Sequence, residues 1–196
     1  MFTGIIEGLS KVEGIEKENT NVHFTFSCAF TNELKIDQSI AHNGVCLTVI
    51  KINGHQYAVT AINETLQKTN LGTLKVGDHL NIERCMPANG RFDGHIVQGH
   101  VDQIGIVASI IDNKGSWTYI IEYDNKLGNV TVEKGSITIN GTSLTVVDSR
   151  DDAFSVCIIP YTFENTVFKY LKVNDTVNLE FDIVGKYVAR LLGKNN

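Results

Sequence analysis

Little in this sequence invites a covalent or metal scaffold. Its four cysteines, Cys28, Cys46, Cys85 and Cys157, lie far apart without any C-x-x-C pair, the pattern of neither a disulfide framework nor a zinc site. Free thiols in a reducing compartment are the expectation. Prolines number only two, Pro87 and Pro160, so no proline-rich disordered or collagen-like segment is present. Basic residues are outnumbered, 17 against 22 acidic, and a net charge of -5 leaves no broad cationic face for a phosphate backbone. Nucleic acid is therefore not an expected partner. No apolar run approaches the roughly 18 residues of a membrane span, and Met1-Phe-Thr-Gly-Ile-Ile-Glu7 lacks the basic flank and apolar stretch of a signal peptide. A cytoplasmic location without membrane attachment is expected.

What remains is a chain of 196 residues, 42% apolar and 20% charged, which suits two folded domains of about 100 residues each. Self-comparison supports that division. Ser39-Ile-Ala-His-Asn-Gly-Val-Cys-Leu-Thr-Val-Ile50 aligns with Ser136-Ile-Thr-Ile-Asn-Gly-Thr-Ser-Leu-Thr-Val-Val147 at an offset of 97. The same offset carries Ile62, Thr65, Thr69, Leu74, Lys75, Val76, Asp78, Asn81 and Glu83 onto Ile159, Thr162, Thr166, Leu171, Lys172, Val173, Asp175, Asn178 and Glu180. At the front, the segment ending at Glu7 matches Val97-Gln-Gly-His-Val-Asp102 at an offset of 95. Met86-Pro-Ala-Asn-Gly-Arg-Phe-Asp93 holds the turn residues of a linker. The expected division is 1–86, a linker 87–93, a second domain 94–186, and a C-terminal helix with its tail over 187–196.

Both halves read as mostly β. Val22, Phe24, Phe26 and Cys28 alternate with polar residues, and Val45 to Ile52 runs through Asn53-Gly54 into Gln56 to Ile62 as a hairpin. Short helices are expected after Asn63 and after Pro160, and Ile183 to Leu192 has the apolar spacing of a terminal helix. Evenly spaced short strands indicate small antiparallel barrels, in which closure removes exposed edges.

Keeping Asn-Gly-x-x-Leu-Thr in both copies suggests two related pockets, although the Asn-Gly pairs alone are explained by left-handed turns. The copies differ where chemistry would break their symmetry: Ile5 faces His100, Asp37 faces Lys134, Cys46 faces Ser143, Glu64 faces Tyr161 and Cys85 faces Asp182. His95 and His100 are five apart, which on a strand sends them to opposite faces and makes a poor metal clamp. His100 is a candidate general acid or base, a task that falls to histidine more often than to any other side chain. Glu180 and Asp182 alternate on an expected strand, aiming both carboxylates to one face.

Taken together, Met1-Phe-Thr-Gly-Ile-Ile-Glu7, His42-Asn-Gly-Val-Cys-Leu-Thr-Val49, Gly94-His-Ile-Val-Gln-Gly-His-Val-Asp102, Asn140-Gly-Thr-Ser-Leu-Thr-Val146 and Asn178-Leu-Glu-Phe-Asp182 closely resemble the riboflavin synthases of the duplicated-barrel type. The resemblance implies an all-β fold, two homologous six-stranded Greek-key barrels in tandem with a short C-terminal α-helix. It implies a homotrimer with each active site between the N-terminal barrel of one subunit and the C-terminal barrel of another. The implied reaction is a transfer between two molecules of 6,7-dimethyl-8-ribityllumazine, giving riboflavin and 5-amino-6-(ribitylamino)uracil with no metal or organic cofactor. An association with lumazine synthase belongs to the same set of expectations.

By resemblance, the N-terminal pocket uses Gly4, Ile5 and Ile6, then Cys46, Leu47 and Thr48, then Thr60, Ala61, Ile62, Asn63, Glu64 and Thr65. The C-terminal pocket uses Gly99, His100 and Val101, with Lys134, with Ser143, Leu144 and Thr145, and with Ile159, Pro160, Tyr161, Thr162, Phe163 and Glu164. Expected roles are a methyl-proton shuttle for His100, pteridine contacts for Ser143 and Thr145, orientation of Ser143 or His100 by Asp182, and support of the partner pocket by Ser39 and Cys46. Tyr161 departs from the His or Glu that some relatives carry after Ile-Pro, so it is given no proton-transfer role. The main alternative is a non-catalytic lumazine- or flavin-binding antenna protein. The presence of His95, His100, Ser143, Leu144 and Thr145 weighs against it. A small-barrel oligonucleotide module is opposed by the acidic balance.

Overall fold

Alternation along β2 (Asn21–Ser27) shows how the chain builds a barrel: Val22, Phe24 and Phe26 are buried while their neighbours stay half-exposed. The other strands of this half are β1 (Gly8–Glu18), β3 (Ser39–His42), β4 (Val45–Asn53), β5 (Gln56–Ala61) and β6 (His79–Arg84). They close in the order β1-β2-β5-β4-β3-β6. The second half repeats this with β7 (Gln103–Asp112), β8 (Trp117–Tyr123), β9 (Ser136–Ile139), β10 (Thr142–Ser149), β11 (Ala153–Ile158) and β12 (Thr176–Phe181). Its order is β7-β8-β11-β10-β9-β12, the same Greek-key path. The computed structural model describes residues 1–193, and the tail 194–196 lies outside the described residues. Among the described residues, no helix is long and apolar enough to cross a membrane.

Each barrel has its own core, centred on Phe24, Phe26, Tyr57 and Ile82 in the first and on Tyr119, Ile121, Phe154 and Phe168 in the second. In the first, His42 is fully buried, with Nε2 2.9 Å from the Tyr57 hydroxyl and Nδ1 3.2 Å from the Ile40 carbonyl. Burial holds this imidazole neutral, its pKa pushed down to about 4. Helices α1 (Asn63–Lys68) and α2 (Pro160–Asn165) follow β5 and β11. Pro160 opens α2 at the position where its missing N–H costs nothing. Thr69 and Thr166 close the two helices identically: each hydroxyl donates to a carbonyl four residues back and accepts from the N–H two residues on.

The barrels meet through the turns that join β3 to β4 and β9 to β10. Gly44 and Gly141 have φ of +79°, and a Cβ on Gly44 would lie 2.8 Å from the Gly141 nitrogen. Around this contact four buried asparagines form a ring related by the repeat. Asn81 donates to the Asn140 carbonyl at 2.9 Å and accepts from Val167 N at 2.8 Å. Asn178 donates to the Asn43 carbonyl at 2.9 Å and accepts from Asn70 N at 2.7 Å. Asn43 and Asn140 in turn accept from the backbone of Asn81 and Asn178. Each carboxamide satisfies backbone groups that would otherwise be buried without partners, at about 1–3 kcal/mol apiece.

Local departures from the sequence reading have identifiable causes. The hairpin turn is Gly54-His55 rather than Asn53-Gly54, because Asn53 still pairs with Gln56 in the ladder. The segment around His95 and His100 carries only one isolated bridge, Phe2 to Val97, so the strand-face argument about that pair does not apply. β12 stops at Phe181, and Asp182 caps α3 (Ile183–Leu191) by accepting from Val184 N at 2.9 Å. Glu180 and Asp182 therefore do not share a strand face.

The glycine contact is testable against an internal control. Gly54 also has positive φ, +58°, but a Cβ there meets nothing within 4 Å. Gly54→Ala should lose only the left-handed backbone cost of about 1–2 kcal/mol. Gly44→Ala should lose clearly more in urea unfolding, and equal losses would contradict the close approach.

Candidate functional site

Two irregular straps, Phe2 to Ile6 and Val97 to Val101, run antiparallel between the barrels, joined by Phe2 N to Val97 O at 2.8 Å and Val97 N to Phe2 O at 3.2 Å. Phe2 is fully buried and packs on Ala41 and Val97. Each strap is pinned from below by a buried carboxylate. Glu83 accepts from Thr3 N at 2.7 Å, the Thr3 hydroxyl at 2.9 Å and Gly4 N at 3.0 Å. Glu180 accepts from Gln98 N at 2.6 Å and from Gly99 N and His100 N at 2.9 Å. Burial raises both carboxyl pKa values, and the converging backbone N–H groups oppose that shift.

Beyond these carboxylates the straps cross over. The Gly4 carbonyl accepts from Ser143 N of the second barrel at 2.8 Å, and the Gly99 carbonyl accepts from Cys46 N of the first at 2.9 Å. Val101 likewise packs on the core of the first barrel. These bonds cross the expected grouping: Gly4 meets Ser143, and Gly99 meets Cys46. The grouping implied by the resemblance keeps each strap with the repeat that contains it, whereas chain continuity does not decide which barrel a strap bonds to.

Two open half-sites result. In the first, Cys46 and Thr48 lie on β4, Leu47 points into the core, and Thr60 and Ala61 end β5 before Ile62, Asn63, Glu64 and Thr65 open α1. Glu64 turns to an ion pair with Lys68 at 2.8 Å, and the Thr60 hydroxyl lies 2.8 Å from His23 Nδ1. The Cys46 thiol is half-buried, its pKa raised by burial and moderated by a hydrogen bond with Ser39. In the second, Ser143, Leu144 and Thr145 lie on β10, Ile159 precedes α2, and Pro160, Tyr161, Thr162, Phe163 and Glu164 belong to its turns. Lys134, at φ +64°, is exposed beside β10 through its N–H to Val146 O. Ile5, Ile62, Ile159 and Tyr161 stand exposed, at 46%, 53%, 58% and 74%. These are large apolar groups on a polar rim, as expected of surfaces that receive a ring or another subunit.

The second half-site pairs a serine with an imidazole at the position where the first has Cys46. Ser143 Oγ lies 2.7 Å from His95 Nδ1, and His95 Nε2 lies 3.2 Å from the Thr138 hydroxyl. Burial lowers the His95 pKa, opposed by the field of Asp182. A neutral ring with one donor and one acceptor nitrogen fits its two hydroxyl neighbours. The Ser143 partner is therefore His95, and Asp182 directs its hydrogen bond to α3. The sequence offers His95 as a poor metal ligand and as a mark of intact half-sites, but not this pairing, since nothing local links positions 95 and 143. Glu83 and Glu180 did carry a signal, being matched across the repeat. His100 is exposed, held by its backbone to Glu180.

Fold and site together define a tandem-barrel protein with two homologous, open half-sites joined by crossed straps. The Lumazine binding domain family model matches residues 3–85 and again 98–182. The chain is 45% identical over 195 residues to riboflavin synthase of Actinobacillus pleuropneumoniae, covering 99% of this chain and 91% of that protein. It is 38% identical over 197 residues to riboflavin synthase of Bacillus subtilis (strain 168), covering 100% and 92%. A crystal structure of LumP complexed with riboflavin superposes with a TM-score of 0.84 at 23% identity, covering 92% of this chain and 99% of that one. The chain belongs to the lumazine-binding domain family.

The half-buried His95 has a pH signature. Its folded pKa lies below the ordinary 6.5, so the unfolded chain binds the proton more readily. Its stability contribution is complete above that value and is lost as pH falls towards the folded value. Between about pH 7.5 and about pH 5.5, wild type should lose more unfolding free energy than His95→Asn. Equal losses would contradict a neutral His95.

Proposed function

We propose that the chain is a riboflavin synthase, a transferase that passes a four-carbon unit between two molecules of 6,7-dimethyl-8-ribityllumazine. The observation that carries this reading is the pair of homologous half-sites crossed by exchanged straps. Two like pockets suit two identical substrate molecules, and the Ser143–His95 pair makes the pockets chemically unequal, as donor and acceptor must be. The equation balances without oxidant, reductant or added water: the carbons lost by the donor, which leaves as 5-amino-6-(ribitylamino)uracil, are those gained by the riboflavin. The donor must give up a proton from its C7 methyl, and the acceptor must be attacked at C7. Holding both rings in register supplies much of the barrier reduction, up to roughly 7–11 kcal/mol in well-oriented intramolecular cases.

In this reading Ser143, backed by neutral His95, and Thr145 hold the pteridine in the second half-site, with Lys134 and Gly4 to Ile6 at its edge. Cys46 and Ser39 support the first, and His100, facing solvent on its strap, moves the methyl proton. Asp182 acts through the field it places on His95. Because each half-site is open, a second subunit is needed to bring two rings face to face. A homotrimer serves that purpose, with α3 presenting Val184, Tyr187, Val188 and Leu191 outward as its contact. Association with lumazine synthase and a cytoplasmic location complete the proposal.

Mixing the purified protein with 6,7-dimethyl-8-ribityllumazine, without oxygen and with EDTA, should consume two lumazines per riboflavin formed, as quantified by chromatography. Tight binding without riboflavin would instead make the protein an antenna, and neither binding nor turnover would overturn the reading. His100→Gln should cut kcat by about a hundredfold, the scale of general acid–base assistance. Undiminished turnover would remove His100 from proton transfer.

A further inference from the structure

We infer that Glu83 and Glu180 are positioning residues, each setting the geometry of the half-site in the opposite barrel. The inference rests on the half-sites proposed above. Glu83 and Glu180 occupy equivalent places on β6 and β12, with 4% and 3% exposure, and each carboxylate collects three donors from a single strap. A carboxylate this buried is costly to keep unless its full acceptor capacity is used. Here that capacity is spent on the irregular straps, five backbone N–H groups and the Thr3 hydroxyl, in a part of the fold with no ladder of its own.

The next bond along each strap leads out of the barrel. Glu83 holds Gly4 N, and the Gly4 carbonyl holds Ser143 N; Glu180 holds Gly99 N, and the Gly99 carbonyl holds Cys46 N. The straps have no slack at these points. A Cβ on Gly4 would lie 2.6 Å from the Ser143 Cβ, and one on Gly99 would lie 2.7 Å from the Cys46 Cβ. A displaced strap therefore moves the half-site residue with it. The wiring is crossed: a first-barrel glutamate sets the second half-site, and a second-barrel glutamate sets the first.

Crossing gives a signature that general destabilisation lacks. In Glu83→Gln or Glu180→Gln one carboxylate oxygen becomes an NH2 group, so at least one strap N–H faces a donor. Riboflavin serves as the ligand, and iodoacetamide alkylation of Cys46, resolved by peptide mass spectrometry with exposed Cys157 as reference, reports occupancy of the first half-site. In wild type, riboflavin should protect Cys46. Glu180→Gln should raise the riboflavin concentration for half-protection about tenfold. Glu83→Gln should leave that concentration within about twofold of wild type while lumazine turnover falls at least about tenfold.

Equal loss of Cys46 protection in both variants, or wild-type protection and turnover in both, would overturn the crossed assignment. Should either glutamine variant fail to fold, Glu83→Asp and Glu180→Asp keep the charge, shorten the reach, and are expected to show the same crossed pattern in milder form. A wild-type chain that makes no riboflavin would overturn the functional reading itself, whereas a productive wild type with uncrossed variants overturns this inference alone.

Discussion

The exchange of backbone hydrogen bonds between the barrels is the constraint on which the rest of the structure depends. Ser143 N to Gly4 O and Cys46 N to Gly99 O bind each half-site to a strap from the other repeat. Without that exchange the asparagine ring would still join the barrels, but each strap would lose its bond to the opposite barrel. Everything else at the interface serves it. The Gly44 and Gly141 turns allow the close approach, the asparagine ring satisfies the backbone this approach buries, and Glu83 and Glu180 hold the straps at the needed height.

Duplication explains why so much is symmetric, and the proposed chemistry is placed at the few breaks in that symmetry. Cys46 and Ser143 occupy equivalent places on β4 and β10, yet only Ser143 has an imidazole partner. Facing them across the sheet are Ala41 and Thr138, and only Thr138 extends the hydrogen-bond chain to His95. A thiol beside an alanine is a soft, weakly polar wall, whereas a serine on a neutral histidine is a polarised donor or acceptor. One scaffold thus carries two equivalent positions of unlike polarity, which the proposed function uses for the unequal roles of two identical molecules.

Much of this was legible in the sequence because duplication writes each constraint twice. The recurrence of Asn43-Gly44 as Asn140-Gly141, and of Asn81 and Glu83 as Asn178 and Glu180, disclosed the two homologous domains, while the meeting of these residues at the junction is seen only in the fold. The turn after β4 and the strand assigned to Asp182 slipped by a residue or two, where ladder pairing and helix capping compete for the same short polar side chains. What the sequence withheld was long-range: that the strap at Gly4 belongs to the Ser143 pocket, and that His95 reaches Ser143. Both are contacts between distant segments, set by how the barrels dock rather than by any local pattern.

The central claim is that one chain presents two complementary half-sites for the same ring system. Its most direct test is the binding stoichiometry of a lumazine analogue with no methyl group at position 7, which can occupy both pockets but cannot react. Calorimetric titration of the intact assembly should saturate at two analogues per chain, with Thr48 and Thr145 both perturbed in backbone amide spectra. Saturation at one per chain, with a single pocket responding, would contradict the account.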